Sequence, residues 1–238
     1  MRRSTEAITL HYLGHAAFAW DLPSGFRLLI DPFRDPAHGK WFLKPFPTVQ
    51  CDIVMITHPH FDHDAIEALP GHPTILRHPV ELRGEGFRIR GVMWKHARDY
   101  GQEFHQENIV FVIEASGLRF CHLGDARPDL PKSLLQDIGP IDVLMVPVDD
   151  SCHLLSFDEV DRLIHQLAPS VVIPSHYLIP GLTAPESTLQ GIDRWLKGQT
   201  NIHRIERAST RLLRADLPQT REIWVFDAYV ADSLSSGT

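Results

Sequence analysis

Three stretches of the chain are apolar at almost every position and then stop on a metal-capable side chain. Residues 51–56 run into Thr57-His58, residues 118–122 lead through Leu123-Gly124 to Asp125, and residues 171–174 lead through Ser175 to His176. Short apolar runs rich in β-branched residues and bounded by polar signals predict buried strands. Further strands are predicted at 8–20, 26–30, 87–92, 109–113, 141–148 and 222–226. Pro23-Ser24-Gly25 supplies the first turn, and the segment 115–117 turns 109–113 into a hairpin with 118–122. Helices are predicted at 64–69, 131–138, 156–167 and 184–197. In the third of these, Ser156 and Glu159 have the spacing of a capping box, and Val160, Leu163, Ile164 and Leu167 form one apolar stripe.

Residues 32–47 fit neither period. They hold four prolines and the aromatics Phe33, Trp41, Phe42 and Phe46, and read either as a lid or as a surface loop folded onto its own rings. The first half is strand-rich and the second alternates helix and strand, with no linker or repeat. One α/β domain over residues 1–238, two sheets inside helical layers, is the natural packing. Its polar end at 233–238 is expected to fray.

Composition narrows the class. A chain of 238 residues can build a core without disulfides or metal. The apolar run 143–148 is far below the roughly 18 residues that a membrane span needs. The balance of 23 Lys and Arg against 30 Asp and Glu gives a net charge of −7, which disfavours broad nucleic-acid binding. Cys51, Cys121 and Cys152 are scattered and odd in number, so they form no disulfide framework. A reducing cytoplasm is the expected setting. His11 and His15 interrupt the apolar stretch after the basic start, so no export signal is expected.

Histidine is the outlier, with 15 residues. Thr57-His58-Pro59-His60-Phe61-Asp62-His63 places three imidazoles and a carboxylate at the end of a predicted strand. That donor set suits Zn²⁺ and its first-row neighbours. Asp125 and His176 end two more strands, and His96 follows the run 87–95. Strands that share a direction deliver their ends to one edge, where α/β proteins build sites.

The ordered set HxHxDH, a lone His, GD and a later His resembles the metallo-β-lactamase superfamily. With Gly14-His15-Ala16-Ala17-Phe18, Asp31-Pro32 and the stretches HLGD, DVLMVPV and VVIPSHY, it looks like the branch of ascorbate-6-phosphate lactonase-like hydrolases. The resemblance covers roughly residues 8–180 and implies an αββα four-layer sandwich with the site at one edge of the two sheets. It implies one metal on His58, His60 and His96, a second on Asp62, His63 and His176, and Asp125 as the bridge. Seven ligands exceed one tetrahedral ion and suit two ions with open positions. The implied cofactors are two divalent metal ions, zinc first, with manganese or iron as alternatives.

The expected activity is hydrolysis by a metal-bound hydroxide. The expected substrate is an ester, lactone or phosphoester of a small anionic metabolite, with Asp62 orienting the nucleophile or taking a proton. A phosphodiesterase or nuclease on the same fold and a non-catalytic metal sensor are the alternatives. A small molecule is the expected partner, with no membrane and no nucleic acid; a homo-oligomer is left open. Ala126-Arg127 after the GD pair and Asp149-Asp150 after Val148 depart from the branch's pattern where substrate approaches. His15 reads either as a supporting or substrate-contacting residue near the metals or as a hydrogen-bonded structural one, Asp31 is a candidate for holding a ligand imidazole, His122 is expected to be structural, and Arg98, Arg127 and Tyr177 could meet an anionic substrate. His38, His105 and His153 have no motif context.

Overall fold

The computed structural model describes residues 6–35, 39–98, 106–149, 154–227 and 229. The predicted tail at 233–238, and His38, His105, Asp150, Cys152 and His153, lie outside them.

Fourteen strands are described. They are β1 Ile8–Gly14, β2 Ala17–Asp21, β3 Arg27–Ile30, β4 Ile53–Met55, β5 Thr74–Leu76, β6 Val80–Gly84 and β7 Phe87–Lys95. Then come β8 Glu107–Ala115, β9 Leu118–His122, β10 Val143–Pro147, β11 Val171–Ser175, β12 Ile202–Ile205, β13 Ser209–Leu212 and β14 Glu222–Phe226. They form a six-stranded sheet ordered β13-β1-β2-β3-β4-β5 and an eight-stranded sheet ordered β12-β14-β11-β10-β9-β8-β7-β6. The α-helices are α1 Lys132–Ile138, α2 Phe157–Leu167 and the single turn α3 Asp193–Leu196.

The inner faces of the two sheets pack on each other. Trp20 of the first sheet meets Phe120 of the second at 5.8 Å between ring centroids, in a core that includes Tyr12, Phe18, Phe111 and Phe226. The apolar runs are continuous because the second sheet is covered on both sides. Val143 and Met145 face the first sheet, while Leu144 and Val146 face α1 and α2. The capping box of α2 is formed as expected, and its four stripe residues are buried.

The outer face of the first sheet is covered differently. Phe33, Phe42, Phe46 and Val49 pack onto Leu13, Ala17, Ala19, Leu29 and Val54. Phe33 stacks on Phe42 at 4.2 Å and meets Phe46 edge-on at 5.1 Å. The aromatic loop is therefore the fourth layer of the sandwich, a cover rather than a lid.

Several predicted elements differ from those observed. The run 8–20 splits into β1 and β2 because Gly14 and His15 both take positive φ and turn the chain. The helix at 64–69 is only a 3-10 turn at Ile66–Ala68, with no side-chain cap and Pro70 two residues on. The helix at 184–197 breaks into a 3-10 turn at Pro185–Ser187 and α3, because Thr188 is left-handed. Strands β5, β6, β12 and β13 were not predicted. They lie at or next to sheet edges, where exposed positions remove the apolar pattern.

Because Phe33 is fully buried against two other rings, Phe33→Ala should cost about 3–5 kcal/mol. Urea denaturation measures this. A midpoint equal to that of the parent protein would mean that the loop does not cover the sheet.

Candidate metal centre

Parallel pairing sets the site. Strands β9, β10 and β11 are parallel, and β7 runs the same way through two antiparallel steps, so His96, Asp125 and His176 emerge at one edge. In the first sheet, β3 and β4 are parallel and bring Asp31 beside Thr57. Asp31 is completely buried. Its Oδ1 accepts from the Thr57 N–H (2.8 Å), and its Oδ2 accepts from the Thr57 hydroxyl (2.7 Å) and from His63 Nδ1 (2.9 Å). The turn after β4 is closed by hydrogen bonds from His63 and Asp64 N–H to the His60 carbonyl. His58, His60, Asp62 and His63 thus crowd around one bend.

The structure brings all seven predicted residues together, in two groups. His58, His60, His96 and Asp125 form one, and His15, Asp62, His63 and His176 form the other; within each group the donor atoms lie within 4.8 Å of one another. Asp125 touches both groups. Its Oδ2 is 3.6 Å from His58 Nε2, 3.4 Å from His96 Nε2 and 3.6 Å from His176 Nε2, and its Oδ1 is 3.4 Å from His63 Nε2. Asp62 Oδ2 lies 3.4 Å from His176 Nε2 and 3.7 Å from His63 Nε2.

These residues fit metal ions on three counts. Donors bonded tetrahedrally at the usual zinc distances sit about 3.4 Å apart, close to the separations observed here. His63 Nε2, His96 Nε2 and Asp125 Oδ1 are buried without a hydrogen-bond partner. Each such atom costs about 1–3 kcal/mol unless something satisfies it. The third count is tautomeric. His63 Nδ1 donates to Asp31, His96 Nδ1 to the Ala97 carbonyl (2.8 Å), and His58 Nδ1 to Thr57 Oγ1 (3.0 Å). Each therefore keeps an unprotonated Nε2 for the centre, where His58 Nε2 lies 3.0 Å from His60 Nδ1.

Electrostatics agree. Burial, and then the neighbouring His63, push His58 well below the ordinary imidazole range, and burial lowers His60. Both are neutral donors. Burial works against the charged forms of Asp62 and Asp125, yet the surrounding imidazoles, His63 foremost, hold both well below the usual carboxylate range. Burial also opposes charge on His63 and His176, but the carboxylates, Asp125 first, outweigh it and raise both. A field that favours a proton there favours a cation.

The remaining candidates separate cleanly. His122 is structural: Nε2 donates to the Ala16 carbonyl (2.9 Å) and Nδ1 accepts from the Gly124 N–H (3.0 Å), which leaves no nitrogen for a metal. Tyr177 is buried beside Tyr12, and burial lifts its hydroxyl to about 12. Asp149 is buried and accepts from the Gln190 N–H. Arg98 and Arg127 line a cavity, paired with Glu159 and Asp129, and none of the seven ligands is part of its lining. Asn108 escaped sequence reasoning. Its Oδ1 accepts from the Asp125 N–H (3.0 Å) and its amide donates to the Leu123 carbonyl, but it sits in an ordinary polar stretch with no signal.

Gly124 is also required. Its φ is +55°, and a Cβ there would lie 2.6 Å from Asn108 Oδ1 and 2.7 Å from Thr57 Cβ. Gly124→Ala should therefore destabilise the fold by about 1–3 kcal/mol and lower metal content by displacing Asp125. Denaturation and metal analysis together check this; an unchanged pair of values would show that the turn has room to spare.

The comparisons with known proteins follow the same outline. The family profile described as "Beta-lactamase superfamily domain" matches residues 9–176, from β1 through the last candidate ligand. A UPF0173 metal-dependent hydrolase of Thermococcus onnurineus is 29% identical over 196 residues, covering 71% of this chain and 84% of that protein. The crystal structure of a proposed Zn-dependent hydrolase of the metallo-beta-lactamase superfamily from Thermotoga maritima is also 29% identical. It has a TM-score of 0.71 and covers 92% of this chain and 98% of its own. A metallo hydrolase from Ignicoccus hospitalis shares the fold, with a TM-score of 0.53 at 20% identity, covering 81% of this chain and 90% of its own. With the match spanning most of the chain and both donor groups inside it, the chain belongs to the metallo-β-lactamase superfamily.

Proposed function

We propose that the centre holds two divalent metal ions, one on His58, His60 and His96 and one on Asp62, His63 and His176, with Asp125 between them. The protein is a metal-dependent hydrolase of the metallo-β-lactamase fold. The observation that carries the two-ion reading is the position of Asp125, whose two oxygens lie 3.4–3.6 Å from imidazoles of both groups. Zinc comes first because every donor is an imidazole nitrogen or a carboxylate oxygen in a compact set, and manganese or iron accepts the same set. Cys51 and Cys121 take no part. Burial lifts their thiols to about 11 and about 12, and neither belongs to a donor group.

Ions bound there would supply Lewis acidity and lower the pKa of water from 15.7 toward about 7. The protein's own share is positioning. Asp31 and Thr57 fix the tautomers of His63 and His58, and Asn108 fixes the backbone of Asp125. Asp62, kept ionised, is the carboxylate that can orient a nucleophile or take its proton.

The substrate is an ester, lactone or phosphoester of a small anionic metabolite. Support comes from a cavity of about 580 Å³ lined by Arg98, Arg127 and Arg162 together with Asp129 and Glu159. Arg98 and Arg127 follow His96 and Asp125 by two residues, and the pairing of His96 with Ala126 ties the two segments together. Arginine forks suit carboxylate and phosphate groups.

Metal analysis should approach two equivalents per chain. Asp125→Asn should lower the occupancy of at least one site and reduce hydrolysis far more than it lowers the thermal midpoint. Full metal content and undiminished activity in that variant would sink the bridging role. A panel of lactones, carboxylate esters and phosphoesters, each in anionic and neutral forms with Zn²⁺ or Mn²⁺, tests the substrate class. Arg127→Ala with Arg162→Ala should raise KM for the anionic form alone; equal effects on both forms would remove the arginines from recognition.

A further inference from the structure

We propose that His15 is a positioning residue for the second donor group: its Nε2–H holds Asp62 Oδ2 in place for the ion on Asp62, His63 and His176, and His15 itself is not a ligand. The proposal rests on the two-ion reading.

His15 belongs spatially to the second group, so ligation has to be weighed first. The nitrogens decide. Three of the ligand imidazoles, His58, His63 and His96, have Nδ1 on an acceptor and Nε2 facing the centre, while His60 sets its Nδ1 3.0 Å from His58 Nε2. His15 has the reverse arrangement. Its Nε2 is 3.1 Å from Asp62 Oδ2, and its Nδ1 is buried with no partner. If Nε2 ligated a metal, the proton would sit on Nδ1, a buried N–H with no acceptor, which proteins rarely tolerate. With the proton on Nε2, the carboxylate receives it, and only a bare lone pair is left in apolar surroundings.

The ring has little freedom to do anything else. It is fully buried, 4.1 Å from the His176 ring and edge-on to Phe42 at 5.1 Å. Gly14 and His15 turn with φ of +98° and +55°, and a Cβ on Gly14 would lie 2.4 Å from Leu182. The backbone of His15 is equally engaged. Its carbonyl accepts from the His176 N–H (3.0 Å) and from the Tyr12 hydroxyl (3.1 Å). One residue on the β1–β2 turn therefore clips together two ligands from opposite sheets: His176 through its backbone, and Asp62 through its ring. A substitution removes only the second clip, which makes the two separable.

The test is a series at position 15, read by metal affinity in competition with a chelator. His15→Asn suits the left-handed backbone but is too short to reach Asp62, whereas His15→Gln restores an N–H at the reach of Nε2. In His15→Asn one ion should bind about 10–100-fold more weakly and the other as before, and His15→Gln should recover most of the loss. Circular dichroism and the thermal midpoint confirm folding; should His15→Asn not fold, His15→Met, equal in reach and lacking the donor, takes its place.

Two ions held as tightly as in the parent protein by the donor-less variant would overturn the proposal. So would a loss in His15→Gln as large as in His15→Asn, or a change in the Co²⁺ d–d spectrum of His15→Gln, since either marks His15 as a ligand. Failure of the two-ion reading is visible in the parent protein alone, as a stoichiometry below two, and would remove the role assigned to His15 with it.

Discussion

The structure depends on one buried carboxylate. Asp31 is out of contact with water and satisfies itself on Thr57 and His63, both in the segment that follows β4. A buried charge is tolerated only when it is paired and hydrogen-bonded. Here the pairing also does positional work. It fixes the end of β4 against the end of β3, orients His63, and leaves Thr57 Oγ1 to accept from His58. Removing it would leave His63 Nδ1 and the Thr57 N–H without acceptors at the root of both donor groups.

Around that anchor, the strands are bent inward by residues in the left-handed region. His15, Asp31, Gly124 and His176 have φ between 48° and 58°, and each stands at the end of a strand that feeds the centre. For residues other than glycine this conformation costs of order 1–3 kcal/mol each. The compensation is visible: His15 and His176 share a backbone hydrogen bond, and Asp31 and Gly124 meet the same Thr57 side chain. Extended strands alone would carry their terminal side chains past the edge. The reversals turn them back over it.

Most of this was legible in the sequence because ligands and strands share one signal. A buried parallel strand is a mostly apolar run, so the polar residue that follows it stands out, as at His58, Asp125 and His176. His96 was assigned by the run before it, and β7 ends at Lys95 as that required. What stayed hidden depends on contacts distant in sequence. Nothing near Asn108 marks it as the acceptor for the Asp125 N–H, 17 residues away. The loop at 32–47 was ambiguous because its aromatics could cover each other or a sheet, and its packing onto Leu13, Ala17, Ala19, Leu29 and Val54 settles the matter. The edge strand β12 carries exposed residues on both faces, and β13 buries only Leu212 among its four residues, so neither leaves a period to read.

The two sheets make unequal contributions to the centre, and this bears on how it responds to losing metal. The first sheet supplies the HxHxDH bend, with Asp31 and His15 around it, held by the aromatic cover and the β1–β2 turn. The second supplies His96, Asp125 and His176, backed by α1 and α2. Asp125 reaches across that boundary through hydrogen-bond acceptors that ions would share. Without them, the like-charged tendencies of His63 and His176 and the opposing carboxylates would have to balance by direct contact. The large apolar core between the sheets keeps the edge aligned regardless. The donor atoms therefore stay within a few ångströms of one another because the core brings them there, and metal binding follows from the fold rather than creating it.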